Sequence, residues 1–111
     1  MNFGDVCLAH FPFTDASTSK LRPVLVVSGD KFNNGADVVV LPISSRPNPS
    51  DSFSVHIGDP DYQRAGLRRE SSVKWAKPAT IAKSVVSRRL GALPQELIDE
   101  VCKQLAELFK N

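Results

Sequence analysis

Two side chains at the ends of apolar runs have the types that a reaction needs: Arg22, directly before Pro23, and Ser44, directly before Ser45. Arg22 stands at the mouth of the run Pro23 to Ser28 (PVLVVS), and Ser44 closes the run Asp37 to Ser44 (DVVVLPIS). If the two runs are neighbouring strands, the guanidinium and the hydroxyls converge on one cleft. A guanidinium presents paired N–H donors to phosphate oxygens, and a hydroxyl adds another. That combination suits phosphodiester transfer within RNA, where the substrate's own 2′-hydroxyl is the nucleophile. The protein then has only to align the attack and offset charge on the phosphorane. Taken alone, the same residues also read as an ion pair ahead of a strand and a turn serine.

Other chemistries find less in the sequence. It contains no HExxH, GxSxG, P-loop or GxGxxG pattern. Asp5, Asp15, Asp30, Asp37 and Asp51 are scattered over loops and strand starts, unlike the grouped acids of a two-metal nuclease. His10 and His56 are isolated, so no zinc spacing exists. Cys7 and Cys102 lie near opposite ends among apolar neighbours and read as small buried hydrophobes. No metal and no cofactor is expected. His10 reads as a strand residue, and Trp75 as core or a contact between copies of the chain.

With 111 residues, 41% hydrophobic and 23% charged, the chain fits one domain, 1–111, with one core. The formal charge of +2 argues for nothing by itself. Its distribution is uneven: between Pro60 and Leu90 eight Lys and Arg residues stand against Asp61 and Glu70 alone. This is either a solvated basic face or a local patch of the kind nucleic-acid binders carry. The start, MNFGDVCLAHF, lacks the charged-then-apolar pattern of a signal peptide, and no run approaches a membrane span. A soluble, cytoplasmic protein is the expectation.

The elements that must position Arg22 and Ser44 are short strands. Asp5 to Phe11, Pro23 to Ser28, Asp37 to Ser44, Phe53 to Ile57, Ser71 to Ala76 and Ala79 to Ala82 are apolar-rich runs separated by turn-forming residues. The two long runs are continuous rather than alternating, as in strands covered on both faces. Asn33-Asn34-Gly35 reads as a turn, and Pro42 places a bulge or an edge within the third strand. From Pro94 the period changes: Leu97, Ile98, Val101, Leu105, Leu108 and Phe109 draw one apolar stripe on a helix. Pro94 suits its first turn, and Glu96, Asp99 and Glu100 lie toward the positive end of its dipole. The predicted architecture is mainly β, a small barrel closed by a C-terminal helix.

Three segments carry a resemblance. GDVCLAHFPFTD (4–15), KLRPVLVVS (20–28) and VVLPISS (39–45) resemble, in order and spacing, the signature segments of the PemK/MazF-like toxins. Ser71-Ser72-Val73, Thr80-Ile81 and Leu90-Gly91-Ala92-Leu93 echo later ones, so the likeness runs from about Phe3 to Leu108. The resemblance implies an SH3-like β-barrel with a C-terminal helix, usually a homodimer. It implies the toxin of a type II toxin–antitoxin system: a metal-independent, sequence-selective endoribonuclease that leaves a 2′,3′-cyclic phosphate and a 5′-hydroxyl and so inhibits growth. Its partners would be single-stranded RNA and a cognate antitoxin whose acidic, flexible segment blocks the cleft, with the basic 60–90 region as a landing surface.

By the same resemblance Arg22 and Ser44 would be catalytic. Arg22 would stabilise the phosphate in the transition state and take part in proton transfer, and Ser44 would hydrogen-bond the scissile phosphate. Lys20, Ser45 and Arg46, from loops 14–21 and 45–52, would contact RNA. The chain departs from the family pattern twice. Many members carry Thr at the position of Ser44, and some carry a glutamate in the loop where this chain offers only Asp15. A barrel that binds without cutting, or a gyrase-directed toxin on the same fold, is the alternative reading.

Overall fold

The computed structural model describes residues 1–11, 20–46 and 48–111. Among the described residues, seven strands and three helices follow in the order β1 (Asp5–Phe11), β2 (Lys20–Val26), α1 (Asp30–Asn33), β3 (Asp37–Ser44), β4 (Val55–Ile57), α2 (Asp61–Arg64), β5 (Ser71–Val73), β6 (Ala79–Ala82), β7 (Val86–Ala92) and α3 (Gln95–Glu107), with a 3₁₀ turn at Lys83–Val85 before β7. The strands run in the order β4-β5-β3-β2-β1-β7, with β6 also on β3, and every pairing is antiparallel. Curled and closed by α3, they form the small SH3-like barrel expected.

The continuous apolar runs are buried on both sides, as their lack of alternation requires. Val24, Val26, Val38 and Val40 join Cys7 and Ala9 in one cluster. Leu25, Leu41 and Ile43 turn the other way, into the main core with Val6, Ile57, Val73 and Trp75. Helix α3 adds Ile98 and Val101 to that core, while Leu108 and Phe109 lie past its last turn and are exposed. The apolar stripe is therefore longer than the surface it covers. Pro94 stands one residue before α3, its carbonyl accepting the N–H groups of Leu97 and Ile98.

Two short motifs have local causes. Gly4 adopts a positive φ of 89°, and a Cβ there would lie 2.5 Å from Cδ1 of Ile98, so the chain can enter β1 beneath α3 only without a side chain. Asp5, buried next to it, accepts hydrogen bonds from the N–H of Asn2 at 2.9 Å and from Nε of Arg89 at 3.0 Å. The Asn33-Asn34-Gly35 turn instead ends helix α1. Asn33 is buried and gives Nδ2 to the carbonyls of Ser28 and Met1, at 2.8 and 3.2 Å.

Strand β7 is absent from the strands predicted above. Among the described residues it pairs with β1 alone, and its middle residues, Ser87, Arg88 and Arg89, are exposed. A strand covered this thinly carries no alternating pattern to read. Among the described residues no helix is long and apolar enough to cross a membrane.

Candidate active site

Strand β3 has a divided edge. Asp37 to Val40 pair with β6, and Ile43 and Ser44 pair with β5. Pro42 falls between these partners, where its missing N–H costs nothing, and its carbonyl accepts the N–H of Lys74 at 2.9 Å. On its other side β3 pairs with β2 only from Val40–Val26 to Pro42–Val24. Beyond that point β2 stays with β1, as far as Lys20–Phe11, and β3 continues with β5. The two strands part like the arms of a fork.

Extending the β2–β3 register past Val24–Pro42 puts Arg22 opposite Ser44. Both are half-buried and both line the cleft in the fork, about 380 Å³ in volume. Leu21, Pro23, Pro42 and Ile43 form its apolar part, and Ser45, Arg46, Lys74 and Lys77 surround it with hydroxyl and cationic groups. The N–H of Arg46 donates to Oγ of Ser44 at 3.2 Å, which leaves the hydroxyl proton to be given elsewhere.

Of the five residues singled out in the sequence, Arg22, Ser44, Ser45 and Arg46 therefore share one cleft. Lys20 is exposed at the start of β2, opposite Phe11, and is not among the lining residues. Asp15 and most of the loop before β2 lie outside the described residues, as does Pro47.

Lys74 and Lys77 were legible only as members of the basic 60–90 stretch. The fold brings these two lysines of the stretch to the cleft. Lys74 pairs with Asp51 from the loop after β3, the partners each 18% exposed. The Lys74 ammonium, followed by the N–H of Phe53, holds the Asp51 carboxyl below the usual carboxylate range. Two further hollows adjoin the cleft. One, about 640 Å³, shares Ser44, Ser45 and Arg46 with it and adds His56, Arg69, Glu70 and Ser72. The other, about 420 Å³, holds Arg68, Arg69 and Arg88. Ser45 borders all three.

The remaining candidates are structural. Trp75 is 6% exposed in the core, with Phe53 edge-on at 5.5 Å between ring centroids. His10 is an exposed strand residue opposite Leu21. Cys7 and Cys102 are free thiols, and burial pushes both above the ordinary thiol range. Among the described residues no three His, Cys, Asp or Glu side chains are grouped to hold a metal ion.

The family model of the PemK-like, MazF-like toxins of type II toxin–antitoxin systems matches residues 2–109. The chain belongs to this family. A probable endoribonuclease MazF of Mycolicibacterium smegmatis is 31% identical over 80 residues, 72% of each chain. The PemK/MazF-like fold recurs in solved structures. MazF from Deinococcus radiodurans superposes with a TM-score of 0.80 at 19% identity, covering 100% of this chain and 97% of that one. A mycobacterial endoribonuclease solved with its cognate antitoxin gives 0.78 at 19% identity, covering 97% of this chain and 93% of that one. In this PemK/MazF-like chain, the arginine of the Arg-Pro segment and the serine of the Pro-Ile-Ser segment both line the cleft in the fork.

Proposed function

We propose that this chain is the toxin of a type II toxin–antitoxin pair and acts as an endoribonuclease on single-stranded RNA, with no metal in the reaction. The observation that carries the reading is that Arg22 and Ser44 line one cleft at the forked end of β2 and β3. A phosphodiester in the cleft meets the Arg22 guanidinium on one wall and the Ser44 hydroxyl on the other. As the substrate's 2′-oxygen attacks phosphorus, negative charge grows on the non-bridging oxygens, where these donors act. The bond from phosphorus to the 5′-oxygen then breaks. The 2′-hydroxyl proton is given up, the departing 5′-oxygen gains one, and the products are a 2′,3′-cyclic phosphate and a 5′-hydroxyl. Arg22 is the cleft residue placed to assist that transfer.

Lys77 and Arg46 give the cleft a positive field that draws the RNA backbone, the charge of Lys74 being offset by Asp51, with Lys20 and Ser45 as outer contacts. Single-stranded RNA fits best, because its unstacked bases can enter the neighbouring hollows. The arginines at 68, 69 and 88 are the surface for an acidic antitoxin segment, and the working form is a cytoplasmic homodimer of one-domain chains.

The test is incubation of purified protein with a long single-stranded RNA in excess EDTA, with chemical mapping of the fragment ends. Discrete cuts ending in cyclic phosphate, absent with Arg22→Ala, are expected. Cutting abolished by EDTA would overturn the chemistry, and no cutting at any protein concentration would overturn the nuclease.

A further inference from the structure

Beside the cleft lies a second group of side chains with no part in the reaction above. His56 on β4 and Ser44 on β3 both stand in register with Ser72 on β5, so the three form one row across the sheet. With strands about 4.8 Å apart, His56 is about 10 Å from Ser44. That is too far to touch the scissile phosphate and suits a neighbouring nucleotide. Nε2 of His56 lies 2.8 Å from Oε1 of Glu70, and the two side chains are 64% and 59% exposed. An exposed pair of this kind adds little to stability. It does form the wall of the 640 Å³ hollow that opens onto Ser44, Ser45 and Arg46.

We infer that His56 and Glu70 form a base-reading subsite for the nucleotide next to the cleavage position, selecting bases that carry an amino group over uracil. The inference rests on the RNA-cleaving reading above. Glu70 repels phosphate, so a base edge faces the pair, while Arg69 and Arg46 on the same hollow take the flanking phosphates. When Nε2 carries the ring's one proton and gives it to Glu70, Nδ1 is left as an acceptor. The second oxygen of Glu70 is another. A wall of two acceptors matches the amino groups of adenine, cytosine and guanine. The Watson–Crick edge of uracil offers two carbonyls and a single N–H, so most of it meets acceptors. The hydroxyls of Ser54 and Ser72 on the same hollow can serve as donor or acceptor and so fit any of the three bases.

The test compares wild type with His56→Ala and Glu70→Gln, both exposed positions, after circular dichroism shows that the variants fold. Cut sites are mapped on a long RNA of mixed sequence, and kcat/KM is measured on short RNAs differing at one flanking base. Uracil should be disfavoured at one fixed flanking position, and each variant should reduce that discrimination about tenfold while kcat on the best site stays within about threefold. Unchanged discrimination in both variants would overturn the subsite and leave the nuclease standing. Loss of cutting on every sequence with unchanged KM would overturn it too, by making the pair catalytic. If wild type fails to cut, fluorescence anisotropy with the same RNAs still decides. Binding that disfavours uracil in wild type but not in the variants supports the subsite without the nuclease, and no such preference overturns it.

Discussion

The ammonium of Lys74, on the wall of the Arg22 cleft, is held by the carboxylate of Asp51, which lines the adjoining hollow. Asp51 also accepts the N–H of Phe53 at 2.8 Å, and Phe53 rests edge-on against Trp75. The loop after β3 is thereby fastened to the residues that follow β5. It is the loop that carries Ser45 and Arg46, so the ion pair ties one border of the cleft to the end of β5.

This link has a pH dependence of known sign. The folded-state pKa of Asp51 is depressed, first by the Lys74 hydrogen bond and then by the Phe53 N–H. Its contribution is complete above the unfolded carboxylate range, about 3.9, and is lost as pH falls through the lower folded value. Hydrogen-exchange protection in residues 48–54, corrected for the intrinsic rate at each pH, should therefore fall only in acid. Asp51→Asn should show the lower protection already at neutral pH. Equal exchange in both proteins at pH 7 would assign the loop's order to other contacts.

Arg22→Ala should lower RNA cleavage about 10²- to 10³-fold, the usual loss of one transition-state donor. Arg22→Lys should fall between it and wild type, because an ammonium keeps the charge but not the paired donors. Single-turnover rates on a short RNA measure both. A lysine variant with full activity would show that charge alone is used.

Ser44→Thr should retain most activity, since the hydroxyl is kept, while Ser44→Ala should lose about tenfold or more. The alanine also leaves the N–H of Arg46 without its Oγ acceptor, so part of the loss should appear in KM through the loop. A loss confined to KM would make Ser44 a loop-shaping residue.

Gly91→Ala should destabilise the fold by about 2–4 kcal/mol. A Cβ at Gly91 would lie 2.4 Å from the carbonyl oxygen of Arg64, and one at Gly66 would lie 2.2 Å from that of Leu90. Backbone packs on backbone here, with no side-chain end to yield. Chemical denaturation gives the value. A variant as stable as wild type would mean that the 64–66 turn is free to move off β7.

The apolar runs made most of the barrel legible. Asp5–Phe11, Asp37–Ser44 and Ala79–Ala82 fall where their composition places them, and α3 begins directly after Pro94. Arg22 and Ser44 were legible by type, because both stand at the ends of such runs. Their shared cleft was not. It depends on where the β2–β3 ladder stops, and pairing partners leave no mark in a single chain. The pair of His56 and Glu70 was hidden for the same reason: 14 residues separate them, and strand register unites them. Gly91 was visible only as part of a motif, and its cause lies in a turn some two dozen residues earlier.

Ser45 borders the cleft and both adjoining hollows. A small molecule seated above its hydroxyl would stand at the junction of three recesses at once. On the proposed function it would obstruct phosphate, flanking base and acidic peptide at one point without filling any one recess. For inhibitor design, this makes a fragment anchored at Ser45 and grown toward the surrounding arginines a more economical start than a ligand built to occupy the Arg22 cleft alone.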